Sequence, residues 1–267
     1  MPWPMGSMNK RNPATPDWQN LRELYDRRAE ARYRFAAGRR LRVLSRKHRG
    51  IIAHLTFPPG SRVLDAGCGD GVYCEWLSRQ GHVLVVGLDI STRILAIARN
   101  NVANRGNTGV TCFLAGNLER LPLAGASFDA IVCSQVIEHL LDDQAGLSEL
   151  YRVLRSSGRL VISTDNHDNR VTRWLAAPTQ AIRVLFRRRD WTYPFPHRDY
   201  RLASFVVRVA EAGFRIECTE TYRFSLPPVL SRLPGLTRLL DWFEARLIRL
   251  PGVRQWGDII VVVADKP

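Results

Sequence analysis

Residues 63 to 71 read VLDAGCGDG, an apolar run that ends in Asp65 and opens at once into a turn carrying Gly67, Gly69 and Gly71. A strand feeding such a turn, and then a helix from Tyr73 to Arg79, lets backbone N–H groups and the helix N-terminus approach a polar ligand, because glycines tolerate positive φ and leave room. The arrangement suits a nucleoside ligand.

Spacing then separates two kinds of nucleoside. The dinucleotide fingerprint G-x-G-x-x-G fails here, since its third glycine position falls on Val72. Asp65 and Asp70 stand close to the turn, where they would repel a pyrophosphate and attract a ligand that carries an ammonium group. S-adenosylmethionine carries one. The next apolar run, HVLVVGLDIS (82 to 91), ends in Asp89, where an acid at a strand end can accept both ribose hydroxyls, and Ile90 would pack on the adenine.

The pattern continues downstream. Residues 109 to 118 (GVTCFLAGNL) read as a third strand ending at Asn117, and 128 to 140 (FDAIVCSQVIEHL) as a fourth strand running into a polar turn. Residues 154 to 164 (LRSSGRLVIST) read as a helix end, a glycine turn and a fifth strand. With these five motifs in order, the chain resembles the class I S-adenosylmethionine-dependent methyltransferases, in particular the small-molecule and lipid group whose fourth motif ends in E-H-L. The resemblance covers residues 60 to 165 closely and the remainder loosely.

The resemblance implies that Asp65, Gly67 and Gly69 hold the methionine end of the cofactor and that Asp89 holds the ribose. It implies that Asn117 and Leu118 frame the adenine, with an amide where many relatives have Asp, and that Ser134 and Gln135 line the face where methyl meets acceptor. Metal-dependent relatives have an acid at the Gln135 position, so Glu138 and His139 lack a third ligand and no metal is expected. The implied fold is α/β: a Rossmann-like, seven-stranded doubly wound sheet with its last strand antiparallel. An N-terminal helical arm and helical insertions near the acceptor side complete it. The implied activity is S_N2 methyl transfer to a small-molecule or lipid-like acceptor, O-methylation foremost.

Strands are expected near 61–66, 82–89, 109–115, 128–133, 158–164, 214–221 and 258–264, with helices near 71–80, 91–104, 143–155 and 202–212. Most of these strands are continuous apolar runs, as buried parallel strands require. The division expected is a basic helical arm over 1–55 and a methyltransferase domain over 56–267, with insertions at 165–201 and 226–256. In the arm, apolar residues from Leu21 to Leu44 recur at helical spacing, and Tyr25 matches the tyrosine with which such arms close over the cofactor in relatives.

Charge is unevenly placed. Of the net +14, residues 1–50 carry +9 and 166–267 carry +7, while 51–165 carry −2. The cofactor core is nearly neutral and the basic surface lies on the additions, which favours an anionic partner or surface; Arg outnumbers Lys 36 to 3, a bias that genome composition alone can also produce. Residues 226 to 256 pair an apolar face with arginines and could lie in a membrane interface or roof an apolar pocket. Five cysteines without a C-x-x-C pair suggest a reduced, cytoplasmic chain. Peripheral association at the inner membrane face is compatible with that. The start MPWPMGSMNKRN has no apolar h-region, and no run approaches 18 apolar residues, so neither a signal peptide nor a spanning helix is expected.

For catalysis, His197 in the PHRDY element is the first candidate general base and His139 in E-H-L its rival, because a neutral imidazole suits removal of a hydroxyl proton as the methyl arrives. Two other functions stay open. A nucleic-acid methyltransferase would fit the charge, but the turn after strand four reads SQVIEH rather than the D/N-P-P-Y/F that holds a flipped base. A non-catalytic binding protein on the same fold is opposed by the intact Asp65, glycine and Asp89 set.

Overall fold

The computed structural model describes residues 18–33, 46–103, 110–168, 197–222 and 257–267. Within them one seven-stranded sheet is built from β1 (Arg62–Ala66), β2 (Leu84–Asp89), β3 (Val110–Ala115), β4 (Phe128–Ser134), β5 (Leu154–Asp165), β6 (Arg215–Tyr222) and β7 (Ile259–Asp265). Their order is β3-β2-β1-β4-β5-β7-β6. Strands β1 to β5 pair in parallel, and β7 runs antiparallel to both of its neighbours. This is the Rossmann-like α/β sheet that the motifs imply, with the last strand reversed.

The helices are α1 (Trp18–Tyr33), α2 (Arg46–Ala53), α3 (Val72–Ser78), α4 (Thr92–Ala103), α5 (Asp143–Val153) and α6 (Leu202–Glu211). They cover both faces, so strand residues are buried alternately on each side. Along β7, Ile260, Val262 and Ala264 join a core with Leu64, Leu147 and Phe205, whereas Ile259, Val261 and Val263 join another with Val63, Leu77 and Leu95. Each such side chain contributes about 1.5–3 kcal/mol by leaving water, which is why these strands read as unbroken apolar runs.

One expectation needed correction, that of the fifth strand. Of the expected helical arm, the described residues hold α1 and α2, and residues 34–45 lie outside them. Helix α2 is fixed by long-range packing. Ile51 and Leu55 are buried, and a Cβ on Gly50 would stand 2.6 Å from the Tyr222 ring on β6, a contact no local pattern reveals. The fifth strand begins at Leu154, directly after α5, rather than after a glycine turn near 158. A register shift between the Phe128–Leu154 and Ala130–Arg159 pairs absorbs the extra residues, with Ser157 in the left-handed region. The insertion expected at 226–256 lies outside the described residues, and of 165–201 only 165–168 and 197–201 are described.

Close approach of layers depends on Gly87 in β2. A Cβ there would meet Cys74 Sγ of α3 at 2.8 Å and the Phe113 ring of β3 at 2.9 Å. Gly87→Val is therefore expected to destabilise the fold by about 1–3 kcal/mol through overpacking, read as a lower urea midpoint with unchanged slope.

Candidate cofactor and acceptor site

The strand order reverses between β1 and β4, and a cavity of about 330 Å³ opens there beyond the strand ends. Gly67, Gly69, Asp89, Ile90, Asn117 and Leu118 line it from the sheet. Ser134, Gln135 and His139 line it from the end of β4, and Tyr25 lines it from α1. Asp65 and His197 do not form its wall.

The glycine turn is tied to the end of β2. Gly67 N and Cys68 N both donate to Leu88 O, at 2.7 and 2.8 Å. Gly67 sits at φ +78°, where a Cβ would meet Val136 Cγ2 at 2.2 Å, so no other residue fits. Gly69 N donates to one oxygen of Asp89 and Ser91 N to the other, both at 2.9 Å. The carboxylate is thereby aimed, with lone pairs left for two hydroxyls. Asp65 is 1% exposed beneath this turn and accepts from Cys74 Sγ at 3.2 Å. Burial pushes its pKa up to about 7, with Asp89 and Asp70 adding to the effect. It supports the turn from below.

Just beyond β3, Asn117 Oδ1 accepts from Glu119 N at 3.0 Å, which closes a local turn and leaves the amide NH₂ and a second lone pair for a ligand. On the other side Ser134 is fixed by Tyr73 O–H and Ser163 O–H, which donate to it at 3.2 and 2.9 Å. Gln135 holds a left-handed φ of 59°, uncommon for a residue with a side chain and concentrated at functional sites.

Helix α1 is docked by Asp26, which sequence reading missed. Its Oδ1 accepts from Ser91 Oγ at 2.5 Å and from Arg93 N at 3.2 Å, at the N-terminus of α4, while Ser91 Oγ accepts from Ile94 N. An acid from another helix thus helps cap α4 and brings Tyr25 over the cavity, with its ring 6.4 Å from His139 and edge-on to it. The other missed residues come from α2. Among the described residues that line the cavity Lys47 is the sole Lys or Arg, and its charge favours the ionised forms of Glu138 and Asp165.

The element His197–Tyr200 packs on the turn after β4, beside the cavity. Arg198 N donates to Glu138 O at 3.0 Å, its guanidinium donates to Leu140 O and Leu141 O, and Tyr200 O–H donates to Asp143 Oδ2 at 2.6 Å. Arg208 also donates to Asp143. This clamp sets the His197 ring 5.3 Å from that of His139, and His197 Nε2 lies 3.6 Å from both Asp165 and Asp199. The two candidate bases, 58 positions apart in the chain, share one place. Beside them Glu138 is 1% exposed, accepts from Thr164 O–H at 3.2 Å, and is pushed by burial up to about 8. Among the described residues no three His, Cys, Asp or Glu side chains gather as a metal site.

These groups fit S-adenosylmethionine: a cradle that a Cβ would fill, an aimed carboxylate, an apolar wall at Ile90 and Leu118, and an acidic surround for a cationic sulfur. Comparison with known proteins agrees. Residues 64–162 match the methyltransferase domain family. A protein of Mycolicibacterium smegmatis named as a probable S-adenosylmethionine-dependent methyltransferase is 32% identical over 65% of this chain and 60% of its own. An O-methyltransferase of Pyrenophora dematioidea is 34% identical over 42% of each. The solved S-adenosylmethionine-dependent methyltransferase of Mesorhizobium loti superposes with a TM-score of 0.57 at 22% identity, covering 83% of this chain and 98% of that one. Residues 64–162 thus carry a methyltransferase domain, set on the Rossmann-like sheet. The chain spans about two fifths to three fifths of the length of these curated relatives.

Asp26→Ala is expected to weaken cofactor binding several-fold and to cost about 0.5–2 kcal/mol of stability, with faster proteolysis within α1 as the direct readout. Glu138 keeps its proton to about pH 8 when folded but loses it near its ordinary 4.5 when unfolded, so its contribution to stability is full below 4.5 and is lost as pH rises toward 8. The thermal midpoint should accordingly fall from about pH 5.5 to about pH 8, and Glu138→Gln should flatten that slope.

Proposed function

We propose that the chain transfers a methyl group from S-adenosylmethionine to a small-molecule or lipid-like acceptor. One observation carries the reading: Asp89 and His139, a carboxylate aimed for a ribose and a residue of the acceptor side, wall the same cavity. In this reading Asp89 takes the ribose hydroxyls, Asn117 and Leu118 frame the adenine against Ile90, and Gly67 and Gly69 cradle the methionine end from above Asp65. Ser134 and Gln135 flank the methyl, and Tyr25 covers it. The bound cofactor supplies an electrophilic methyl on a sulfonium. The chain's own task is to align the acceptor, exclude water and receive any proton released.

The E-H-L group favours small or lipid-linked acceptors, and the basic segments over 1–50 and 166–267 would then hold an anionic part of the acceptor or an anionic membrane surface. Cytoplasmic location with peripheral attachment follows from that reading; no helix among the described residues is long and apolar enough to cross a membrane. A nucleic-acid acceptor is the second reading. It has the charge in its favour and the SQVIEH turn against it.

Calorimetry should show S-adenosylmethionine binding that Asp89→Ala weakens by about 1.5–3 kcal/mol, the loss of a charged acceptor. Unchanged affinity would remove the ribose assignment. Label from methyl-tritiated cofactor, incubated with cell extract, should partition into lipid or small-molecule fractions, and label confined to nucleic acid would replace the first reading by the second.

A further inference from the structure

The turn after β4 is gripped by one carboxylate and one guanidinium, each from a different part of the chain. Glu119, in the turn after β3, reaches 22 positions along the sequence, and its Oε1 accepts from Leu141 N at 2.7 Å and from Asp142 N at 3.3 Å. Arg198 donates through Nη1 to Leu140 O at 3.0 Å and through Nη2 to Leu141 O at 2.5 Å. Leu140 O and Leu141 N belong to one peptide group, whose trans geometry points them in opposite directions. That group lies between a negative and a positive side chain, an arrangement in which each hydrogen bond strengthens the next. The Glu119 anchor stands in the wall of the cofactor cavity. Its own N–H donates to Asn117 Oδ1 at 3.0 Å, Arg120 N donates to Asn117 O at 3.1 Å, and Asn117, Leu118 and Glu119 all line the cavity. At the other end of the linkage His139 and Leu140 line the same cavity.

Resting on the methyl-transfer reading, in which Asn117 and Leu118 frame the adenine, we propose that Glu119 is a positioning residue that ties the seating of the nucleoside to the shape of the acceptor side. An adenine held by Asn117 and Leu118 steadies the turn in which Glu119 stands. The steadied carboxylate holds Leu141 N and Asp142 N, and with them the turn that carries His139 and Leu140. The acceptor meets its finished wall when the nucleoside is in place. Glu119 touches neither reacting atom; it supplies registry, and a misplacement of about 1 Å in such a site lowers the rate by about 100-fold. A glutamine here keeps an accepting Oε1 of the same reach, whereas alanine leaves the Leu141 and Asp142 N–H groups without the partner they have.

The test uses the full chain and S-adenosylhomocysteine, with amide hydrogen exchange read residue by residue. Exchange at Leu141 N requires Glu119 to let go, so ligand at about ten times its dissociation constant should slow exchange at Leu141 and Asp142 by about tenfold. Glu119→Ala should bind S-adenosylhomocysteine within about three-fold of the unaltered protein yet lose that slowing, and Glu119→Gln should keep it. Glu119→Asp, one methylene shorter, should fall between the two and serves if the alanine variant does not fold. Transfer of label from methyl-tritiated S-adenosylmethionine to acceptors in cell extract should drop by about 10- to 100-fold in the alanine variant and return to within a few-fold in the glutamine one. Absence of slowing when ligand is added, or slowing that survives Glu119→Ala, overturns the linkage. A loss of ligand affinity in the alanine variant as large as its loss of transfer overturns it too, because Glu119 would then serve the ligand directly, and so does a glutamine variant as slow as the alanine one. Failure of the unaltered chain to bind S-adenosylhomocysteine at all overturns the methyl-transfer reading itself.

Discussion

The site rests on the hydrogen bonds that join the β1 turn to the end of β2. Three consecutive N–H groups of that turn would lack partners if the glycines stood alone, and Leu88 O and the Asp89 carboxylate accept all of them. One residue pair thus fixes the shape of the turn, and the turn in return orients the Asp89 carboxylate. Asp89 can serve a ligand only because the backbone of Gly69 and Ser91 already holds it, and the turn keeps its shape only because Asp89 is there. The separation of the two motifs in sequence is the length of one helix and one strand, which delivers the second strand's end beside the first.

Everything that encloses the site comes from farther away. Asp26 anchors α1 at the N-terminus of α4, where the exposed N–H groups and the helix dipole favour an acid. Helix α2 is locked from beneath by Gly50 against Tyr222, and His54 meets Glu220 at 3.2 Å on the same strand, so the position of Lys47 depends on β6. The His197–Tyr200 element binds the turn after β4 through backbone carbonyls rather than through matched charges alone. The neighbouring Asp143 is 5% exposed yet receives Tyr200 and Arg208, and a buried acid with both a hydroxyl and a guanidinium costs far less than one left alone.

The strands were legible because burial on both faces writes continuous apolar runs, and the glycine turn and Asp89 were legible as a pair because they stand one helix and one strand apart. Asp65 was legible as part of the motif, but its place beneath the turn depends on Cys74, one turn into the next helix. Asp26 and α2 were illegible for a different reason: an acid in an arginine-rich helix and a short amphipathic segment have no local signature, and both owe their roles to contacts 65 or more residues away. The meeting of His139 and His197 belongs to the same class. Each was singled out by chemistry alone, as rivals, and only the clamp by Arg198 makes them neighbours.

The electrostatics of the cavity bear on turnover. Asp70, Asp89 and Glu119 line it and Lys47 is the sole cationic Lys or Arg among the described lining residues, so its field favours a ligand with a positive sulfur. On the methyl-transfer reading the sulfur gives up its positive charge in the reaction, so the same acids would hold the product form of the cofactor less strongly than the substrate form, and the field that draws the ligand in would not retain it afterwards.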